Sequence, residues 1–362
     1  MKTIAVFFGG VSVEHDISVI TGVLTCNSLD KAYNVVPVYV DKTGEWFTGN
    51  CLLDPDAFNN LNYKKLTRVT FTSGSNRLCA VKGRKLKEIC AVSCAINCLH
   101  GERGEDGSLA GVLKMCNIAS ASPDIYPSAL SMDKTLTKRA VRGIANVLPF
   151  VEVTGVKQAE EIALPFGYPV LVKPTLGGSS IGIRVAENQA ELTRAVGYAL
   201  RFGKRVMIEP CLADFTEINC AAYRRAAGIQ VSECEMPMRR TDYLTFADKY
   251  ESGKRIFPAD IPKKISDKIK KITANVYKTF AFTGVIRIDY FVKDGRVYLN
   301  EINSVPGSLA YYLFSDTTKG FTAMLNELIE VGNATFAEDS TIKKSYDSGI
   351  LHGVGAKGSK RL

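Results

Sequence analysis

The sequence lacks any apolar run long enough to cross a membrane. A bilayer-spanning helix needs roughly 20 consecutive apolar residues, and no stretch of this chain reaches that length. The opening MKTIAVFFGG is apolar, but it ends in Gly-Gly and charged residues instead of the small-residue cleavage site of a signal peptide. We therefore interpret the opening as a buried first strand and expect a cytoplasmic protein without a membrane partner.

The sequence also lacks the dense, even cysteine spacing of a disulfide-stabilised protein. Its ten cysteines are scattered and lie mostly among apolar residues, which favours a reducing compartment. Cys90, Cys94 and Cys98 are spaced by four residues, so a metal site is an alternative. Their stretch is typical of a strand, where residues four apart lie roughly 13 Å from each other, too far to share one ion. We interpret them as buried free thiols.

A long basic run is absent as well, although the formal net charge is +9. Lysine and arginine are enriched in KKISDKIKK, which is typical of the solvated face of a helix, and in the C-terminal KGSKRL. No basic stripe or nucleic-acid-reading motif is present. We therefore expect no nucleic-acid partner and attribute the positive balance to an anionic substrate such as a nucleotide.

Strand-like and helix-like segments alternate along the 362 residues, which predicts an α/β protein with two or three domains. The first domain is expected to contain the strands IAVFF, VVPVYV and CAVSCAINCLHG and the helices ISVITGVLTCNSL and SLAGVLKMC. The pattern then predicts one helix over SALSMDKTLTKRAVRG and one strand over IQVSECEM. An amphipathic helix follows, with an apolar stripe at Ile265, Ile269, Ile272, Val276 and Phe280.

A glycine-serine loop follows the predicted strand PVLVKP. The strand carries Lys173, and the loop contains Gly177, Gly178, Ser179 and Ser180. Glycines let backbone N–H groups approach a phosphate, and serines add hydroxyl donors. The spacing matches neither a Walker A loop nor a dinucleotide fingerprint. The sequence thus indicates a different kind of phosphate site, with a flexible surface hairpin as the alternative.

Two neighbouring predicted strands carry polar side chains at alternate positions. Arg287 and Asp289 share one face of the first strand, and Glu301 and Asn303 share one face of the second. Charged residues on apolar strands destabilise a fold unless they are paired or bind a metal. Carboxylate and amide oxygens suit magnesium on an ATP phosphate tail, whereas a cross-strand salt bridge is the alternative. The turn Val305-Pro306-Gly307-Ser308 follows, and its N–H groups are candidates to face an oxyanion.

A third signal is the segment LHGERGEDG, where His100 ends a predicted strand beside glycines and a helix start. Open α/β sheets bind ligands at such strand ends. A histidine that only supports the loop by hydrogen bonding is the alternative.

Taken together, these motifs resemble those of D-alanine–D-alanine ligases over residues 1–335. The matching segments occur in the family's order: FFGGVSVEHDIS, LHGERGEDG, SALSMDK, VLVKPTLGGSSIGI, EINCAAY, FADKY, IRIDYF and LNEINSVPGS. The resemblance implies the ATP-grasp fold, an α/β fold of three domains with the nucleotide between the central and C-terminal domains. The boundaries expected on this chain are 1–125, 126–213 and 214–340, followed by a loosely held tail over 341–362.

The resemblance also implies roles for particular residues. ATP would be bound by Lys134, Lys173, Gly178, Ser180, Glu209, Glu217 and Lys249, with Glu209 and Glu217 on adenine and ribose. Two Mg²⁺ ions, or Mn²⁺, would be bound by Asp289, Glu301 and Asn303. Substrate binding and catalysis would fall to Glu14, Ser179, Tyr250, Arg287, Gly307 and His100. The implied activity joins two D-alanines through an acyl phosphate for peptidoglycan precursor synthesis, and a homodimer is the implied assembly.

Three segments depart from the family pattern. Ala110 stands in place of a usual glutamine, and NIASASPDIYPSALS replaces a Pro-Tyr-Thr-Gly stretch. After Pro306-Gly307, Tyr312 falls where a small hydroxyl residue is expected to bind the carboxylate of the second substrate. The alternatives are an ATP-grasp ligase for another second substrate, such as another amino acid or D-lactate, or a non-catalytic nucleotide-binding homologue. Tyr250 favours a dipeptide product.

Overall fold

The computed structural model describes residues 1–238 and 255–348. An eight-stranded sheet occupies the N-terminal part, in the order β6-β5-β4-β3-β2-β1-β7-β8. Its strands β1 to β8 are Lys2–Gly9, Tyr33–Val40, Trp46–Thr48, Thr67–Phe71, Arg77–Lys82, Lys85–Ala91, Cys94–Asn97 and Ala119–Ser120. Strands β2, β1, β7 and β8 run parallel, while β3 to β6 form an antiparallel extension. The expected buried first strand is confirmed, because β1 is buried from its second residue onwards.

Helices cover both faces of this sheet. Helices α1 (His15–Ser28) and α2 (Ser108–Met115) pack on opposite faces, and each buries apolar side chains against the parallel strands. The last helix, Thr318–Thr341, also packs against this sheet through Phe321 and Leu325 and reaches the C-terminal strands. Within the two described ranges, no helix is long and apolar enough to cross a membrane.

The central part is a four-stranded antiparallel sheet in the order β11-β10-β12-β9. Strands β9 to β12 are Val151–Val153, Val170–Pro174, Arg184–Ala186 and Val206–Pro210. The helices α3 to α6 are Ile125–Met132, Lys134–Ala140, Val156–Glu161 and Gln189–Ala199. Helices α5 and α6 cover the sheet with small and branched apolar residues. Asn188 begins α6 by accepting a hydrogen bond from the Glu191 N–H.

The C-terminal sheet is antiparallel, in the order β14-β13-β17-β18. Strands β13 to β18 are Thr216–Arg225, Gly228–Val231, Met236–Pro237, Arg255–Ile256, Val285–Lys293 and Arg296–Asn303, with β15 and β16 forming a separate ribbon. Helix α7 (Lys263–Thr279) packs on this sheet through the apolar stripe that the sequence predicted. The last helix, Thr318–Thr341, is α8. A 3₁₀ segment, Gly307–Leu313, joins β18 to α8.

Three element predictions were wrong in detail. The helix over SALSMDKTLTKRAVRG is interrupted at Asp133, whose backbone is extended. The Asp133 side chain accepts hydrogen bonds from the Thr135 and Leu136 N–H groups and so caps a second helix, α4. The stretch around Cys90 and Cys94 is two strands, β6 and β7, instead of one. The expected strand over IQVSECEM is likewise divided between β14 and β15. Cys94 and Cys98 are buried, whereas Cys90 is partly exposed.

Candidate active site

Strands β17 and β18 bring four polar side chains of the predicted site together. Arg287 lies opposite Asn303 and Asp289 lies opposite Glu301 in the register of the two strands. The Arg287 guanidinium donates from Nε and Nη2 to the two carboxylate oxygens of Asp289, over 2.7 and 2.9 Å. Asn303 Nδ2 donates to the same carboxylate over 3.2 Å. The ion pair therefore lies within one strand, and not across strands as the alternative interpretation had it.

The oxygens of Asp289, Glu301 and Asn303 suit a hard divalent cation. The carboxylate residues Asp289 and Glu301 lie directly opposite each other on adjacent strands. Asn303, which supplies an amide oxygen, lies two residues after Glu301 on β18. Mg²⁺ prefers one or two carboxylates completed by water and phosphate oxygens. This donor set fits a Mg²⁺–nucleotide complex.

The glycine-serine loop lies between β10 and β11 and adopts a left-handed backbone. Gly177, Ser179, Ser180 and Gly182 all have positive φ, from 52° to 101°. Such a turn directs successive N–H groups to one side and suits an anion. A Cβ at Gly178 would come within 2.8 Å of a Glu14 carboxylate oxygen, so a residue with a side chain does not fit there without displacing Glu14.

Three charged side chains form a buried cluster beside this loop. Lys138 and Lys173 each place Nζ 2.6 Å from an oxygen of Glu209, and all three side chains are at most 5% exposed. Burial alone would raise the pKa of Glu209, but the two ammonium groups outweigh it and lower the pKa to about 2. Glu209 is thus ionised. Lys138, which sequence reasoning missed, lies one helical turn after Lys134.

Two adjoining cavities contain most of the predicted residues. The first is lined by apolar side chains such as Leu171 and Phe215 and by these predicted residues: Lys134, Lys173, Gly178, Ser179, Ser180, Glu209, Glu217 and Glu301. The second, of about 520 Å³, contains Glu14, His100, Arg287, Asp289, Asn303 and Gly307. Lys134, Gly178, Ser179, Glu217 and Glu301 line both cavities. The break at Asp133 contributes to this arrangement, because it lets the Lys134 N–H donate to the Thr175 carbonyl beside the loop.

Glu14, which directly precedes helix α1, contacts the glycine-serine loop. Its carboxylate accepts a hydrogen bond from the Ser179 hydroxyl, and Glu14 is 8% exposed. Glu105 lies nearby and accepts hydrogen bonds from the Gly101 and Val305 N–H groups. Burial, and then the charge of Glu14, raises the pKa of Glu105 to about 8. The two carboxylates therefore form an acidic end of the second cavity that suits an ammonium group.

His100 is buried and neutral near pH 7. Its Nε2 lies 3.0 Å from the Thr21 hydroxyl, and burial, with a smaller contribution from Arg287, lowers its pKa to about 4. Thr21 also accepts a hydrogen bond from the Ser308 N–H, directly after Gly307. His100 therefore supports the turn that carries Gly307 in addition to lining the cavity.

Two predicted residues, Lys249 and Tyr250, lie outside the described residues. Sequence reasoning missed Lys138 and Glu105, together with three side chains that line the second cavity, Asn219, Glu235 and Arg255. For Lys138 the four-residue spacing from Lys134 was an available signal, and Glu105 was part of a motif already singled out. Glu235 lies in the stretch IQVSECEM that was predicted as a strand, but no local pattern pairs it with Arg255.

Comparisons with known proteins identify relatives along nearly the whole chain. The family models described as D-ala D-ala ligase N-terminus and C-terminus match residues 3–122 and 144–330. The D-alanine–D-alanine ligase of Thermosipho melanesiensis is 33% identical over 365 residues, covering 97% of this chain and 98% of that protein. D-alanine–D-alanine ligase A of Escherichia coli O6:H1 is 30% identical over 358 residues, covering 94% and 98%.

Solved structures agree with these matches. The D-alanine–D-alanine ligase of Helicobacter pylori has a TM-score of 0.77 at 29% identity, covering 91% of this chain and 98% of that chain. The VanG D-Ala:D-Ser ligase of Enterococcus faecalis has a TM-score of 0.79 at 26% identity, covering 91% and 99%. Because the two family models together cover most of the sequence, the chain belongs to the D-alanine–D-alanine ligase family, whose members are ATP-dependent ligases with the ATP-grasp fold.

Proposed function

We propose that this chain joins two D-alanines to D-alanyl-D-alanine at the expense of ATP, which supplies a peptidoglycan precursor. The observation that carries the proposal is the junction of the two cavities. Lys134, the loop at Gly178 and Ser179, and Glu301 line both of them. A nucleotide with its phosphates at this junction would present its γ-phosphate to the carboxylate of an amino acid in the second cavity.

The reaction proposed has two steps. A carboxylate oxygen of the first D-alanine attacks the γ-phosphorus of ATP, and ADP leaves. The amine of the second D-alanine then attacks the acyl carbon, loses a proton, and phosphate leaves with the former carboxylate oxygen. Lys134 and Lys173 offset negative charge on the phosphates, and Arg287 with the Gly307 N–H stabilises the oxyanion of the tetrahedral intermediate.

Asp289, Glu301 and Asn303 would hold two Mg²⁺ ions, with Mn²⁺ as a substitute. The bound ions would offset the charge of the phosphate groups. Support comes from the position of Asp289 opposite Glu301, which places two carboxylates at neighbouring positions of adjacent strands. Glu209 and Glu217 are proposed to contact the nucleoside. For Glu209 the support is its place in the lining of the first cavity, where its two oxygens also accept hydrogen bonds from Lys138 and Lys173.

The ammonium group of the first D-alanine is proposed to lie at the acidic end of the second cavity. Glu14, held by Ser179, would bind it, and the raised pKa of Glu105 would fall as the positive charge arrives. Lys249 and Tyr250 belong to the proposal through the resemblance alone, as contacts on a loop that closes over the intermediate and excludes water. His100 is proposed as a neutral neighbour of the substrates.

The proposal also includes the three domains bounded at residues 125, 213 and 340, a homodimer and a cytoplasmic location. The support for a reducing compartment is that all ten cysteines are free.

A second candidate function is ligation of D-alanine to a different acceptor. Tyr312 in the second cavity favours this candidate, and a structural neighbour is named as a D-Ala:D-Ser ligase.

An amino-acid panel tests the proposal. Phosphate release from ATP and Mg²⁺ is measured with each D- and L-amino acid, and with D-lactate, alone and in pairs, and products are identified by mass spectrometry. Phosphate release with D-alanine together with the mass of D-alanyl-D-alanine is the expected result. Turnover only with another pair would transfer the function to the second candidate, and no release with any pair would contradict both.

A further inference from the structure

Tyr312 enters the second cavity from an unusual turn. Ser308, Leu309 and Ala310 all have φ near +50°, a left-handed conformation that residues with a Cβ adopt at a cost in energy. Leu309 and Ala310 are at most 3% exposed, and the Ser308 N–H donates to Thr21 over 3.0 Å. Because packing and hydrogen bonding hold the turn, the position of the Tyr312 ring in the cavity wall is fixed.

The Tyr312 ring lies against the guanidinium of Arg255. The Cζ atom of Arg255 is 4.6 Å from the centroid of the Tyr312 ring and 5.2 Å from that of Phe257. Its Nη1 donates to Glu235 over 3.0 Å, and Glu235 is 4% exposed. Two aromatic rings and one carboxylate therefore orient the guanidinium of Arg255, whose side chain remains 33% exposed at the cavity.

A guanidinium has five N–H donors in a planar fork. Within the described part of the chain, Arg255 contacts a carboxylate through Nη1 alone. Arg287 differs, because Asp289 occupies both its Nε and its Nη2. Of these two arginines, Arg255 is the one whose fork has donors available for two parallel hydrogen bonds to an incoming carboxylate.

The same wall contains an acceptor that lacks a donor. Asn219 is 6% exposed and donates from Nδ2 to Glu235 over 3.2 Å. Its Oδ1 is buried, and no donor among residues 1–238 and 255–348 reaches it. Exchanging the two amide atoms would place Oδ1 against the Glu235 carboxylate, so the orientation is determined. A buried acceptor without a donor in a cavity wall points to a ligand that supplies an N–H group.

We propose that Arg255, oriented by Glu235, Tyr312 and Phe257, binds the α-carboxylate of the second amino acid, while Asn219 Oδ1 accepts from its amino group. The inference rests on the proposed ligase function and names a specificity determinant for its acceptor. Tyr312 is then a positioning residue: its ring holds Arg255. This accounts for a tyrosine where the family resemblance predicted a small hydroxyl residue for the same carboxylate.

The test uses one acyl phosphate and two competing nucleophiles. The full chain is incubated with ATP, Mg²⁺, D-alanine and hydroxylamine, and the ratio of D-alanyl-D-alanine to D-alanine hydroxamate is measured. Hydroxylamine has no carboxylate, so it does not need Arg255. We expect Arg255→Gln to lower the ratio by about 10- to 100-fold, the effect of losing a charged hydrogen-bonded pair, without loss of hydroxamate. Arg255→Lys should recover part of the ratio.

Three controls make the outcome decisive. Arg296→Gln, a change at an exposed arginine of β18, should leave the ratio unchanged. Tyr312→Phe retains the ring over Arg255 but removes the phenol beside Arg287, so both products can fall while their ratio stays within about 3-fold of the wild type. Tyr312→Ala should lower the ratio. With D-alaninamide as acceptor, which has no carboxylate, Arg255→Gln should have no effect.

Three results would overturn the inference. An unchanged ratio in Arg255→Gln would remove Arg255 from acceptor binding. Equal loss of hydroxamate and dipeptide would show a role in the first step or in folding. A fall in Tyr312→Phe as large as that in Arg255→Gln would assign the carboxylate to the phenol. If the wild type forms neither product from D-alanine, the proposed function itself fails.

Discussion

Replacing Glu209 by glutamine should destabilise the protein strongly, because the Glu209 carboxylate is in contact with two buried ammonium groups. Both of its oxygens lie 2.6 Å from a lysine Nζ, and Lys138 has a side chain with 0% exposure. A glutamine would retain one acceptor oxygen but turn an NH₂ group towards the other ammonium. One buried positive charge would then lose its partner.

The size of the effect follows from the pKa of Glu209. Burial raises this pKa, but the two lysines outweigh burial and the net change is from 4.5 to about 2. Each pKa unit corresponds to about 1.4 kcal/mol, so the loss is roughly 3 kcal/mol. Breaking a buried ion pair by removing one partner costs about 3–5 kcal/mol in other proteins, which agrees. Because the folded-state pKa is lowered, this stability is present above pH 4.5 and is lost as the pH falls towards 2.

The assay is urea unfolding of the wild type and Glu209→Gln at pH 7 and at a series of lower pH values. The free energy of unfolding should differ by roughly 3 kcal/mol at pH 7, and the difference should shrink below pH 4.5. Glu160→Gln, at an exposed position of α5, is the matched control and should have little effect. A loss below about 1 kcal/mol at pH 7, or a loss independent of pH, would refute the reasoning.

Three further predictions concern the second cavity. Arg287→Ala should lower kcat by about 10²- to 10³-fold through loss of oxyanion stabilisation, with little change in the Kd of ATP; unchanged turnover would exclude this role. Asp289→Asn removes an anionic metal ligand and should raise the Mg²⁺ concentration for half-maximal activity by about tenfold or more, as a Mg²⁺ titration would show. Glu105 has a pKa raised to about 8, so it is largely protonated at pH 7. Binding of a D-alanine ammonium beside it should release protons, which calorimetry in two buffers of different ionisation enthalpy detects; identical heats would contradict this.

The parts of the site that the sequence revealed depend on local periodicity. Arg287 and Asp289 alternate along one strand, and the turn at Lys293-Asp294-Gly295 returns the chain so that Glu301 lies opposite Asp289. A period of two residues and a tight turn are visible in the sequence. For the same reason the stripe of helix α7 was predictable from its spacing.

The parts that were not predicted depend on contacts between distant segments. Lys138 and Glu209 are separated by 71 residues. Glu235 and Arg255 form an ion pair because β15 and β16 are paired in the ribbon next to them. No local pattern specifies such pairs. The break at Asp133 was missed because the apolar spacing continues through it, while the capping hydrogen bonds of the Asp133 side chain decide the conformation. The antiparallel extension β3 to β6 lacks the alternation with helices on which the α/β prediction was based.

The transfer of ¹⁸O from substrate to phosphate tests the central claim most directly. D-Alanine labelled with ¹⁸O in both carboxylate oxygens is incubated with the enzyme, ATP and Mg²⁺, and the phosphate and dipeptide are analysed by mass spectrometry. The account predicts ADP as the nucleotide product and one ¹⁸O atom in the inorganic phosphate for each dipeptide formed. Phosphate without ¹⁸O, or AMP with pyrophosphate in place of ADP, would contradict activation of the carboxylate as an acyl phosphate.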